Sequence, residues 1–213
     1  MRARRRTNHR MLRWAGIASP LLYFGSITVG CRLYPGFDLV RHVSSELGAR
    51  NAPHPLVFNA GLMSFGAATA LTALQLRNVL NDLHIPSVRA GIASGVIALF
   101  GFATLMAGSF PLPDWKHAAA ASLGLPHLLG PWLLAVALPI RRDMQSLRVY
   151  LVSTNIAMVL AMASYMALAH LGYPGLGQLL YSFTAVPYIG VSAYVLSRAA
   201  SREMSSLNRR PGT

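Results

Sequence analysis

Seven residues in this chain are of types and spacings that suit chemistry. Asp38, His42, Ser45 and Glu46 lie within "YPGFDLVRHVSSELGARNAPH" (residues 34–54). Asp114 and His117 lie within "FPLPDWKH" (110–117), and His127 directly follows Pro126 inside an apolar run. Histidine beside carboxylate suits two kinds of work: proton transfer to a bound group, and ligation of a divalent metal such as zinc that activates water. Glu46, Asp114 and His117 are the expected acid–base residues. Asp38, His42, Ser45 and His127 are the expected ligand-binding residues, and Asp38, His42, His117 and His127 the expected metal ligands. No H-E-x-x-H motif is present. Three of them also have a plainer reading. Asp38 can cap a helix and pair with Arg41 or His42, Asp114 is well suited to a helix N-cap, and His127 can hydrogen-bond a carbonyl freed by Pro131. His170 and Gln178 flank a later turn and are weaker candidates.

The elements that position these residues follow from hydropathy. Of the 213 residues 54% are hydrophobic and only 12% charged, against roughly 25% charged in soluble domains. Six segments, near 14–33, 55–76, 90–110, 118–140, 149–171 and 177–197, are apolar for about 20 residues, enough to cross a ~30 Å hydrocarbon core as helices. Lipid cannot satisfy open backbone groups, so the spacing predicts an all-α polytopic bundle of six transmembrane helices. Between the first two, residues 38–48 read as an amphipathic helix at the interface, with Asp38, His42 and Ser45 on one edge and Val40, Val43 and Leu47 opposite. Residues 1–13 and 198–213 are basic tails. One side of the bundle carries 15 Lys and Arg, among them Arg2, Arg4, Arg5, Arg6, Arg209 and Arg210; the other carries 4, Arg32, Arg41, Arg50 and Lys116. This predicts both termini cytoplasmic in the cell membrane.

The net charge of +13 does not predict nucleic-acid binding, because the arginines sit at the ends of apolar runs. The lone Cys31 excludes an internal disulfide and any cysteine-cluster metal site. "TVGC" ending at Cys31 faintly follows a lipoprotein signal, but Thr28 and Pro20 depart from it. Gly91 and Gly95 form a G-x-x-x-G pair suited to close helix packing, as do Gly61, Gly66 and Gly101. Met158, Met162 and Met166 form a packing stripe, and "YPGF" (34–37) and "YPGL" (173–176) read as turns.

Sorting the six carboxylates by side sets Asp82, Asp143 and Glu203 among arginines, and Asp38, Glu46 and Asp114 on the opposite side with most of the histidines. With these residues in place, "YPGFDLVRHVSSELGARNAPHPLVFNAGLMSFG" followed by "FPLPDWKH" resembles the bacterial and archaeal membrane family called domain of unknown function 998. The resemblance covers most of the chain, and "SSELGA" is its specific part. It implies about six helices, a "PGY…SELGA" element after the first and an acid–histidine element after the third. Phe37 stands for the aromatic after the glycine. Gln178 departs, standing where a more strongly polar or charged pair is expected. "SSELGA" is also remotely similar to a loop of DRAM-type membrane proteins, which implies a lipid connection. The expectation is an outward polar site acting on a lipid or lipid-linked head group, with membrane lipids as partners. A small carrier, functioning as a homo-oligomer, and a non-catalytic envelope scaffold are the alternatives.

Overall fold

The computed structural model describes residues 2–207, with side chains from residue 7 to 206. The arginine side chains at 2, 4, 5 and 6, and Arg209 and Arg210, lie outside the described residues. Among the described residues the chain is all-α, and six segments are long and apolar enough to cross a membrane. Eight α-helices build them: α1 (Arg2–Leu33), α2 (Pro55–Asp82), α3 (Ser87–Ser109), α4 (Trp115–Leu123), α5 (Gly130–Ala137), α6 (Arg142–His170), α7 (Pro174–Ala185) and α8 (Pro187–Leu207). The large apolar side chains left on the outside, such as Leu21, Leu74, Ile92, Ile156 and Leu160, are solvated by lipid tails rather than water.

Two spans differ from the single helices that the apolar runs predict. The fourth is α4 and α5 joined by a 3-10 turn at Leu125–Leu129, and the sixth is α7 and α8, separated at Val186. Pro126, Pro131 and Pro187 supply the reason, since each removes a backbone donor and crowds the preceding turn. The basic tails also differ, because α1 and α8 run on through the described tail residues; arginine is a good helix former once the chain leaves the lipid.

The ends of the helices gather on two faces. The terminal face holds the start of α1 and the described end of α8 with the α2–α3 and α5–α6 links. There the buried His9 of α1 meets Asp82 of α2 at 3.2 Å and Ser201 of α8 at 3.3 Å, and Arg141 pairs with both Asp143 (2.9 Å) and Glu203 (3.3 Å). The loop face holds residues 34–54, the α3–α4 link and the α6–α7 turn, where Gly172 takes φ 85°. That left-handed geometry ends α6 and lets Tyr173 N–H donate to Leu168 O (2.8 Å).

Close packing is set by Gly66 and Gly101, as their sequence positions suggest, and not by the Gly91–Gly95 pair. Nothing lies within 4 Å of a Cβ placed at Gly91 or Gly95. At Gly66 the same atom would stand 2.6 Å from Gly101 O, and at Gly101 it would stand 2.8 Å from Gly66 O. There α2 and α3 touch backbone to backbone.

Candidate functional site

Residues 38–48 are not the amphipathic helix that their hydropathy predicts. Pro35 and Gly36 (φ 78°) turn the chain out of α1, and side chains then take backbone amides, among them that of Val43, which a helix would use. Asp38 Oδ1 accepts from Val40 N–H (2.8 Å), and Glu46 Oε1 accepts from Val43 N–H (3.1 Å). What forms is a turn at 38–42 and a 3-10 turn at Ser44–Gly48.

Neighbouring helices hold this segment down. At the start of α7, Leu176 N–H donates to Val40 O (2.9 Å), and Gln178 Oε1 accepts from Ser44 N–H (2.6 Å). Asn59 of α2 donates to Gly48 O (2.9 Å), and a Cβ on Gly48 would collide with Asn59 and stand 2.8 Å from Phe58. Arg50 N–H donates to Leu112 O (3.0 Å), tying the segment to the α3–α4 link. "SSELGA" is thus a rim, fixed at both ends. A Cβ on Gly175 would run into the carbonyl oxygens of Leu39 and His42. Gly175→Val is therefore expected to free residues 38–49 while the bundle stays folded, seen as at least tenfold faster amide hydrogen exchange confined to that segment.

Beneath the rim lies a cavity of about 480 Å³, within the ~300–1,000 Å³ usual for small-molecule sites. Its walls are apolar: Phe58, Leu62 and Phe65 of α2, Phe100, Ala103 and Ala107 of α3, and Met162 and Met166 of α6. Its polar groups include Ser44 and Ser45 of the rim, Gln178 and Ser182 of α7, Tyr23 of α1 and His117 of α4. Tyr23 and Ser182 share a hydrogen bond of 2.8 Å. In the packing, α4 lies on α3 and α6 lies on α7. The cavity falls between these two pairs, and its wall residues Ala121, Ser122, Leu125 and Met166 are exposed. It therefore opens sideways, where lipid tails would stand.

His117 has a defined tautomer. Pro111 has no N–H to give the carbonyl of Ala107 four residues back, so that carbonyl is left open at the end of α3. His117 Nδ1 fills the gap, 3.0 Å from Ala107 O and 3.1 Å from Phe110 O. A carbonyl only accepts, so the neutral ring carries its proton on Nδ1 and keeps a lone pair on Nε2.

Of the seven expected site residues, the structure brings Ser45 and His117 to the cavity. Asp38 and His42 are neighbours, but the carboxylate does not hold the imidazole. His42 Nδ1 accepts from Asp38 N–H (3.1 Å), while the carboxylate faces Arg41 at 3.7 Å. Glu46 caps Val43. Asp114 Oδ1 caps α4 by accepting from Lys116 N–H (3.0 Å), and its Oδ2 stands 3.4 Å from Arg50. His127 is buried one layer beyond the cavity wall, stacked on Phe100 at 3.9 Å. Its Nε2 donates to Ala185 O (3.1 Å), a carbonyl opened by the α7–α8 break rather than by Pro131, and its Nδ1 accepts from Tyr188 (3.3 Å). The four expected metal ligands are thus dispersed, and among the described residues no three His, Cys, Asp or Glu side chains converge on a point that would hold a metal ion. Sequence reasoning missed Tyr23 and Ser182, because polar residues inside apolar runs carry no signal of which way they face, and it missed Ser44 beside Ser45 in the polar stretch.

Residues 17–196 match the model of a family described as a protein of unknown function (DUF998). No curated protein matches the chain, and no solved structure matches it.

Proposed function

We propose, for a chain that belongs to the DUF998 family of unknown function, that the loop-face cavity takes an amphipathic lipid or lipid-linked molecule and acts on its head group. The observation that carries this reading is the cavity's sideways opening between α4 and α6, with apolar walls below and a polar rim above. An acyl or prenyl chain entering from the bilayer would lie against Phe65, Phe100 and Met162. Its head group would meet Ser45, Gln178 and His117. Gln178 spends its oxygen on Ser44, so its amide N–H groups are donors for the ligand. His117 Nε2 is the group placed to accept a proton. Asp114 and Glu46 act one step back, fixing α4 and the rim. The excess of arginines on the terminal face supports termini in the cytoplasm of a cell-membrane protein, with the cavity toward the outside.

His117→Asn separates the base from the fold, since the Asn amide can still donate to Ala107 and Phe110 while nothing replaces Nε2. Ala107→Trp fills the cavity. With the full chain purified in detergent, native mass spectrometry of retained lipid should show a loss of about tenfold in the first variant and near-complete loss in the second. Retention equal to the parent in both would sink the proposal. Metal analysis of the same preparation also tests the metal-dependent reading, for which stoichiometric zinc would be required.

One observation favours a second reading, a carrier. The breaks in the fourth and sixth spans meet, His127 of one bonding Ala185 of the other, and discontinuous helices facing each other are a common build of transport sites. Proton-coupled flux in liposomes, lost on closing the cavity with Ala107→Trp, would favour it over action on a head group.

A further inference from the structure

A second hollow, of about 520 Å³, opens on the terminal face, far from the rim. Arg13 of α1 and Arg198, Ser201, Arg202, Ser205 and Ser206 of α8 line it; Arg198 and Arg202 also border an adjoining hollow whose carboxylates, Asp143 and Glu203, pair with Arg141. Gly16 and Gly190 let α1 and α8 approach closely; a Cβ on Gly190 would stand 2.9 Å from Gly16 O. That approach holds Arg13 beside Arg198 and Arg202, which are themselves one turn apart on α8.

Three like charges so close call for counter-charge, and the described acids of this face are engaged elsewhere. Asp82 meets His9, while Asp143 and Glu203 pair with Arg141. Arg13 donates to Ser197 Oγ (3.4 Å) and lies over the Tyr194 ring at 5.8 Å. Arg198 donates to Tyr194 Oη (3.0 Å) from over the same ring. These contacts fix the two stems against one aromatic plate and leave the charges unneutralised. Arg202 makes no hydrogen bond or ion pair among the described residues. The serine hydroxyls are spent on the helix, Ser205 on Ser201 O and Ser206 on Glu203 O. The free donors of the hollow are therefore the guanidinium groups, whose forked N–H geometry matches phosphate oxygens. The hollow sits where two spans leave the apolar zone, with the exposed Trp14 next to Arg13, the level at which indole rings and lipid phosphates lie.

We infer that this hollow binds the phosphate of an anionic lipid head group, held by Arg13, Arg198 and Arg202. The site is independent of the loop-face cavity and stands whether or not that cavity works as proposed. Its test titrates the full chain, in a neutral detergent, with dioctanoyl phosphatidylglycerol, dioctanoyl phosphatidylcholine and inorganic phosphate in separate arms, read by native mass spectrometry. Phosphatidylglycerol is expected to bind at least tenfold more tightly than phosphatidylcholine. Each of Arg13→Gln, Arg198→Gln and Arg202→Gln should weaken it about fivefold, and the triple variant about a hundredfold. Arg77→Gln, an exposed α2 position, should leave it unchanged. The single variants decide the matter if the triple variant fails to fold. Unchanged binding in the singles, equal affinity for phosphatidylcholine, or inorganic phosphate binding as tightly as the lipid would each overturn the assignment.

Discussion

Gly101→Val is expected to abolish the folded bundle or lower its stability by about 3 kcal/mol or more. At Gly101 the added Cβ would stand 2.7 Å from Ala70 N and 2.8 Å from Gly66 O. Both are backbone atoms of α2, so no side chain can swing away, and the helices must separate. Separation would withdraw packing from the interior, because Phe65 and Phe100 face each other across this contact at 5.9 Å. It would also open the cavity wall that the two rings share. Gly91→Val is the matched control, since nothing lies within 4 Å of its added Cβ. Thermal melts in detergent, followed by circular dichroism, check the pair. Equal melting temperatures for the two variants would refute the backbone contact.

The second large effect is expected at His127. Replacing it with leucine keeps an apolar side chain of similar reach but leaves Ala185 O and Tyr188 Oη without their partner in a water-free interior. Hydrogen bonds between membrane helices average only about 0.6 kcal/mol, because the unfolded chain in lipid also finds partners. Orphaning a buried group is harsher, about 1–3 kcal/mol. The ring is 1% exposed and its loss also removes the stack on Phe100, so the harsher figure applies. His127→Leu should destabilise the protein by about 2 kcal/mol, and Tyr188→Phe, which loses one bond, by less than half of that. A His127→Leu protein that melts like the parent would show that the two helix breaks do not depend on this histidine.

Both effects bear on how far the molecule could be read from its sequence. Six spans and the two-sided distribution of arginine were legible, since span length and hydropathy add along the chain without reference to neighbours. Four prolines inside apolar runs were legible, but not that Pro20 would stay within an unbroken α1 while the breaks near Pro126, Pro131 and Pro187 would face and satisfy each other. The stretch 38–48 has the apolar period of a helix, yet Glu46 takes an amide that a helix would use, and α2, α7 and the α3–α4 link supply the anchors. His117 was legible as a candidate from its position next to Asp114. Its tautomer was not, because it depends on the carbonyl that Pro111 leaves open. Gln178, which departs from the pattern the resemblance implies, turns out to anchor Ser44.

What the sequence alone determined is the class of object: an all-α multi-pass membrane protein, with its polar chemistry concentrated between spans. Hydrocarbon length and the demand for internal hydrogen bonding leave few other solutions. What only the tertiary structure decided is which polar residues meet. Ser45, His117 and Gln178 converge on one cavity, while Asp38, Glu46 and Asp114 are consumed in holding its rim and α4. In lipid, association of helices turns on local fit and on the partners open to each polar group. These are properties of pairs of surfaces, and no single run of residues contains them.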